Sequence, residues 1–153
     1  MTLAEKSLEI AQSQLGIVEE KGNKGKDVKK YLNSVGLDEG FSWCMAMVYW
    51  AVNEAAKSLQ IANPLLKTGG VLRQWNEGKC QHVKEPQVGD IFIMDFGHGL
   101  GHTGFVKTVN PKAKTFTTIE GNAQSGNLEN RNGGMVCSNQ RKFSSCKGFI
   151  RLP

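Results

Sequence analysis

The stretch Phe41-Ser42-Trp43-Cys44-Met45-Ala46-Met47-Val48-Tyr49-Trp50 decides the fold. From Cys44 onward, Met47, Val48, Ala51, Val52 and Ala55 fall at i+3, i+4, i+7, i+8 and i+11, the spacing of one buried helix face. The expectation is a core helix that begins near Trp43 and ends around residues 58–61, before the turn-favouring pair Asn63-Pro64. Ser42 is placed to cap it with a side-chain oxygen, although Met45 rules out a capping box. Cys44 then lies in the first turn, where unpaired N–H groups and the helix dipole favour a thiolate over a thiol. A cysteine on an apolar stripe is nonetheless more often structural than reactive, so only partners elsewhere in the chain can give it chemistry.

The two flanks of this stretch differ in kind. Upstream, Leu3, Leu8, Ala11 and Leu15 with Gly16 read as an amphipathic helix over residues 3–15. Val28, Tyr31, Leu32 and Val35 repeat at helical spacing up to Gly36. Downstream, Val71, Leu72 and Trp75 suggest a short helix ended by Gly78, then an irregular segment to Pro86. From there residues 89–94 form an apolar run of strand length, and residues 103–109 and 115–120 read as a hairpin turning at Asn110-Pro111-Lys112-Ala113. Two further strands are expected near residues 134–139 and 148–152, and residues 122–132 are the most disorder-prone. Helices followed by strands, without βαβ alternation, argue for an α+β domain whose helices pack on an antiparallel sheet.

Length and composition bound the rest. At 153 residues the chain suits a single domain over residues 1–153 with a core of its own. No apolar run approaches the ~20 residues of a membrane-spanning helix, and the first residues, Met1-Thr2-Leu3-Ala4-Glu5-Lys6, do not read as a secretory signal peptide. A net charge of +5 favours anionic partners. Against nucleic acid, the lysines are scattered; the densest run, Lys21 to Lys30, includes Asp27, has few aromatics to stack on bases, and reads as a solvated face. Cys44, Cys80, Cys137 and Cys146 contain no CxxC pair; Cys137 and Cys146 flank an expected hairpin, which leaves a disulfide between them open.

A nucleophilic cysteine needs a base, and histidine is the side chain tuned for that work near neutral pH. His82 lies in a polar segment near Cys80 and reads as a surface residue, because no further ligand accompanies the pair at metal-binding spacing. His98 reads as a loop histidine among Gly97, Gly99 and Gly101. His102 differs. If the hairpin pairs residues whose numbers sum to about 222, His102 lies opposite Glu120. Glu120 could then fix one imidazole nitrogen so that the other meets Cys44, and Asn122, two residues on along the same face, could do so instead. Taken alone, Glu120 reads more readily as an exposed strand-end charge.

Trp43-Cys44-Met45-Ala46-Met47-Val48-Tyr49-Trp50 resembles the "W-C-A-x-F-V-x-W" signature of the CHAP group, the cysteine, histidine-dependent amidohydrolases/peptidases of the NlpC/P60-like superfamily. Gly89-Asp90-Ile91 with Gly101-His102-Thr103-Gly104-Phe105-Val106 is similar to the family's "G-D-I … G-H-x-G-x-V" strand pair. Ile119-Glu120-Gly121-Asn122 resembles its "I-E-G-N" segment, and Gly148-Phe149-Ile150-Arg151 resembles the closing "G-F-I-R" strand. The resemblance implies a papain-like (NlpC/P60-type) α+β fold and cleavage of amide bonds in peptidoglycan. It implies Cys44 as nucleophile, His102 as base and acid, and Glu120 or Asn122 as the orienting residue. Tyr31, Trp43, Trp50 and Trp75 become candidates for the walls of a substrate groove, against the commoner reading of aromatics as core. Ser42 stands where the subgroup often has Pro, and Met45 and Met47 replace smaller or aromatic residues. Only Asp38 and Glu39 precede Cys44 where some relatives carry a calcium loop, so no metal or other cofactor is expected.

Three functions follow from the resemblance. The first is a cysteine peptidoglycan hydrolase cutting either the muramoyl–L-alanine amide or a bond of the stem or cross-bridge. The others are a transpeptidase or deamidase acting on protein with the same triad, and a catalytically silent module that binds cell wall. The expected protein is a monomer acting on the wall. Phage release, a secretion system or ordinary export would each deliver it, and a delivery machine or a cognate inhibitor is a partner that stays open.

Overall fold

The computed structural model describes residues 1–123 and 134–153. Four helices come first: α1 (Leu3–Gln12), α2 (Lys26–Ser34), α3 (Cys44–Ser58) and α4 (Val71–Glu77). Seven strands follow among the described residues: β1 (Gln81–Val83), β2 (Ile91–Gly97), β3 (Leu100–Asn110), β4 (Thr115–Ala123), β5 (Met135–Cys137), β6 (Gln140–Lys142) and β7 (Gly148–Arg151). They pair antiparallel in the order β1-β7-β2-β3-β4-β5, with β6 also on β4. The architecture is the expected α+β one, papain-like with its helices gathered against an antiparallel sheet.

Helix α3 is the hub. It packs between α1, α2 and strands β3 and β4, and is buried well beyond the expected stripe: Met45, Ala46 and Tyr49 are enclosed along with Met47, Val48, Ala51, Val52 and Ala55. Full burial of each larger apolar side chain contributes about 1.5–3 kcal/mol. On one side the sheet contributes Ile91, Ile93, Phe105, Ile119 and Ile150 to the helix-facing core. On the other, Phe92, Met94, Val106, Phe116 and Phe149 form a second cluster, with Phe143 packed against it.

Several expectations are corrected. Helix α1 stops at Gln12 and Leu15 is 41% exposed, because the turn after it carries the chain to a backbone bond between Gly16 N and Val136 O. Ser42 does not cap α3; the capping position belongs to Trp43 and no side-chain cap forms, so Ser42 lies one residue too early. The segment expected to be irregular before Pro86 contains β1, paired to β7. Residues 134–139 hold only β5, and the chain then turns into the separate strand β6. Of the expected disorder-prone stretch, Asn122 and Ala123 end β4 and residues 124–132 lie outside the described residues.

The β3–β4 register is also two residues away from expectation. Phe105 faces Ile119 and Val106 faces Thr118. The connecting turn is longer than a tight hairpin, with Asn110 paired to Thr115, and an irregularity between Val106 and Thr108 adds a further residue to β3. A shift of two preserves the face on which every side chain lies, since strand side chains alternate with a period of two.

Candidate active site

Cys44 is the first residue of α3 and is 6% exposed. Helix geometry leaves its backbone N–H without an intrahelical acceptor. Its position depends on the meeting of α3 with β4. A Cβ on Gly121 would come 2.7 Å from Trp43 Cζ3 and 3.2 Å from Met47 Cβ, so only glycine lets β4 approach the start of the helix this closely. The glycine of the Ile119-Glu120-Gly121-Asn122 segment therefore serves the packing that positions Cys44.

His102 stands on β3 opposite Met94, with its side chain 11% exposed. Its Nε2 lies 2.9 Å from Glu120 Oε1. Facing an ionised carboxylate, Nε2 carries the proton, and Nδ1 is the nitrogen left for the Cys44 thiol. Because of the register shift, Glu120 is not directly across from His102. A Cβ on Gly104 would lie 2.7 Å from Glu120 Cβ and 2.8 Å from Phe92 Cε1. Gly104 therefore occupies the place facing Glu120, and its missing side chain lets the carboxylate lean diagonally to the imidazole. Burial alone would lower the His102 pKa. The hydrogen bonds and charges of Cys44 and Glu120 outweigh it and raise the ring to about 9, which places both groups within interaction reach of the imidazole.

Glu120 is fully buried, not the exposed strand-end charge of the alternative reading. Four side chains satisfy it. Arg141 donates from Nε to Oε2 at 2.8 Å and from Nη2 to Oε1. Thr118 Oγ1 donates to Oε2 at 2.7 Å, Asn139 Nδ2 to Oε1 at 3.2 Å, and His102 completes the set. Desolvation would raise its pKa, but the hydrogen bonds and charges of Arg141 and His102 bring it down to about 2. The carboxylate stays ionised beside the imidazole across the ordinary pH range.

The structure thus brings Cys44, His102 and Glu120 together. Asn122 sits two residues further along β4 at φ 53°, past the residue that takes the imidazole contact. Sequence reasoning missed Arg141, Thr118 and Asn139. Thr118 lies two residues before Glu120 and shares its face, a relation the strand period could have supplied. Arg141 carried no signal, because in Gln140-Arg141-Lys142 it is one polar residue among three and only its 5% exposure sets it apart.

The aromatics divide. Tyr31 and Trp43 are fully buried and stack with centroids 5.6 Å apart, so they cannot wall a groove. Trp50 and Trp75 are partly exposed. Lys30 Nζ lies 4.4 Å from the centroid of a Trp50 ring, while Lys21, Lys24, Lys26 and Lys29 form the expected solvated face. Trp75 stacks on His82 with centroids 3.5 Å apart, and Gly148 makes room for its ring. His82 is exposed and His98 is in the turn between β2 and β3, as expected. All four cysteines are free thiols, including Cys137 and Cys146.

The sequence profile of the CHAP domain matches residues 36–122. No curated protein sequence matches the chain. Among solved structures, the wild-type endolysin LysIME-EF1 superposes with a TM-score of 0.63 at 17% identity, over 100% of this chain and 65% of that one. Ly7917 gives 0.59 at 15% identity, over 99% and 63%. RipD from Mycobacterium tuberculosis, described as a non-catalytic NlpC/p60 domain protein adapted to peptidoglycan binding, gives 0.58 at 14%, over 100% and 99%. At these identities the likeness is one of fold, and this chain spans less than two thirds of the length of either LysIME-EF1 or Ly7917.

Proposed function

The chain belongs to the CHAP-domain family, and from that premise we propose that it is a cysteine peptidoglycan hydrolase, cutting the muramoyl–L-alanine amide or a peptide bond of the stem or cross-bridge. The observation that carries the reading is the line of groups from Cys44 through His102 to a buried, ionised Glu120. Cys44 gives its thiol proton to His102 Nδ1 as Sγ attacks the amide carbonyl carbon, and the tetrahedral oxyanion is stabilised in part by the backbone N–H of Cys44 at the start of α3. His102 gives its Nδ1 proton to the departing amine, the C–N bond breaks and a thioester remains on Cys44. Water then attacks the thioester while His102 takes its proton, releasing the carboxylate product and returning the thiol. Glu120 holds the ring in the tautomer and orientation this requires.

Purified cell wall incubated with the protein is expected to release soluble fragments, and mass spectrometry of their new termini names the bond. Cys44→Ala and His102→Ala should each lower release by at least ~10³-fold while circular dichroism shows both still folded at the assay temperature. Release unchanged in folded Cys44→Ala would end the nucleophile assignment. Sedimentation of intact wall with the wild-type protein, without fragments, would instead place it with wall-binding proteins such as RipD.

A further inference from the structure

We propose that Arg141 is a positioning residue of this site: its guanidinium clamps Glu120 side-on, fixes which carboxylate oxygen faces His102, and shares the charge that the imidazole would otherwise meet alone. The proposal rests on reading Cys44, His102 and Glu120 as one acyl-transfer site, but its test requires no wall substrate.

The geometry is specific. Nε and Nη2 engage different oxygens of Glu120, the paired contact that a planar guanidinium makes and an ammonium does not. Arg141 is the single buried position of β6, flanked by exposed Gln140 and Lys142, so the strand turns one side chain inward and that side chain is charged. Its guanidinium carbon sits 5.4 Å from the centroid of Phe92, whose ring also contacts His102 at 5.8 Å, which holds the fork from behind. Thr118 and Asn139 occupy the remaining acceptor directions of the carboxylate, leaving it little freedom to turn.

The consequence for the imidazole is electrostatic. A bare buried carboxylate 2.9 Å from Nε2 would hold the imidazolium so tightly that its proton would be hard to give to a leaving amine. An arginine on the far side of that carboxylate offsets part of the negative charge and also repels the imidazolium directly. Among the described residues, the other titratable groups facing this cluster are Cys44 from α3, Cys137 from β5 and Cys146 beyond β6, the last two with thiols pushed up chiefly by burial to about 11 and about 12 and so uncharged. Among the described residues, Arg141 is therefore the fixed positive charge that faces Glu120.

The chain has three histidines, so their ring resonances can be titrated together in the full-length 15N-labelled protein. Replacing Arg141 by Met should move the His102 midpoint upward by about one pH unit, a tenfold gain in proton affinity, while His82 and His98 stay in place as internal references. Should Arg141→Met not fold, Arg141→Gln makes the same comparison, because its amide still donates to Glu120 but carries no charge. Arg141→Lys, which restores the charge, should return the midpoint to within about 0.3 unit of wild type. A His102 midpoint that ignores the neutral replacements in folded protein, or one that moves equally in Arg141→Lys, overturns the proposal. Loss of stability alone, without the titration shift, marks Arg141 as merely structural and also overturns it.

Discussion

Glu120 shows how one residue sets both stability and pH response. An ionised carboxylate taken wholly out of water is costly unless each lone pair finds a donor, and here Arg141, Thr118, Asn139 and His102 supply them. Its pKa falls from 4.5 to about 2 on folding, so its contribution is complete above pH 4.5 and is lost as the pH drops towards 2. For His102 the shift is upward, from 6.5 to about 9, so its contribution is complete below pH 6.5 and is lost as the pH rises to about 9. Glu120→Gln should therefore melt lower than wild type near pH 6 yet show a flatter dependence on both flanks. Melting temperatures at half-unit steps from pH 2 to pH 10 check this, and acid and alkaline slopes as steep as those of wild type would refute it. That Cys44, His102 and Glu120 meet could be anticipated because each sits in a short run that resembles a family motif, with Asn122 as the alternative to Glu120. Their supporting residue could not be, since an arginine between Gln140 and Lys142 looks like any surface position until the chain folds over it. The buried Tyr31 and Trp43 make the converse point, for residue type alone does not separate a core aromatic from a groove wall.

Elements, more than residues, decide whether the sulfur reaches the ring. Helix α3 brings Cys44 at its first position, β3 brings His102, and their separation is set by how closely β4 approaches Trp43. Gly121 controls that approach. A methyl there would meet the Trp43 ring at 2.7 Å and 3.0 Å, closer than carbon atoms tolerate. Since Trp43 is fully enclosed and stacked on Tyr31, it is the start of α3 that must give way. Gly121→Ala should cost about 1–3 kcal/mol and leave the protein folded, yet lower wall digestion by ~10²-fold, because displacing reacting groups by about 1 Å has that effect. Activity falling only in proportion to the unfolded fraction, measured by melting and digestion at one temperature, would show that the contact matters for stability alone. Helix positions and the β2–β3–β4 order were legible because each element announces itself by local periodicity. Register was not: it depended on the length of one turn and one extra residue in β3, both decided by pairing rather than pattern.

At the scale of the whole molecule, the profile match ends at residue 122, but the sheet does not. β7 enters between β1 and β2, second in the strand order, and β6 carries Arg141 to the candidate site. Two motifs read separately in the sequence meet here: Asp90 of Gly89-Asp90-Ile91 accepts from Arg151 of the closing strand, Nη2 to Oδ2 at 2.7 Å and Nε to Oδ1 at 3.0 Å. Asp90 is almost wholly buried and also accepts from Gln87 N at 2.8 Å, so it ties the closing strand to the turn that launches β2. Neither residue is chemical; the pair closes the sheet. Such closure could not be read from the chain, because strand order follows from contacts between residues 61 positions apart rather than from neighbours. Arg151→Leu leaves Asp90 buried without its cation and should cost about 2–3 kcal/mol, less than a fully enclosed pair because Arg151 is partly open to water. In a protein of this size that lowers the melting temperature by roughly 5–10 °C. Ending the chain at residue 147 removes β7 itself, exposing the edges of β1 and β2 and uncovering Phe92 and Ile91, which pair with Phe149 and Ile150. That protein should lose its cooperative melt altogether, read by circular dichroism at the same concentration and pH. A shortened chain that melts as sharply as Arg151→Leu would mean that β7 decorates the sheet, and that the helices with β2, β3 and β4 hold the site without it.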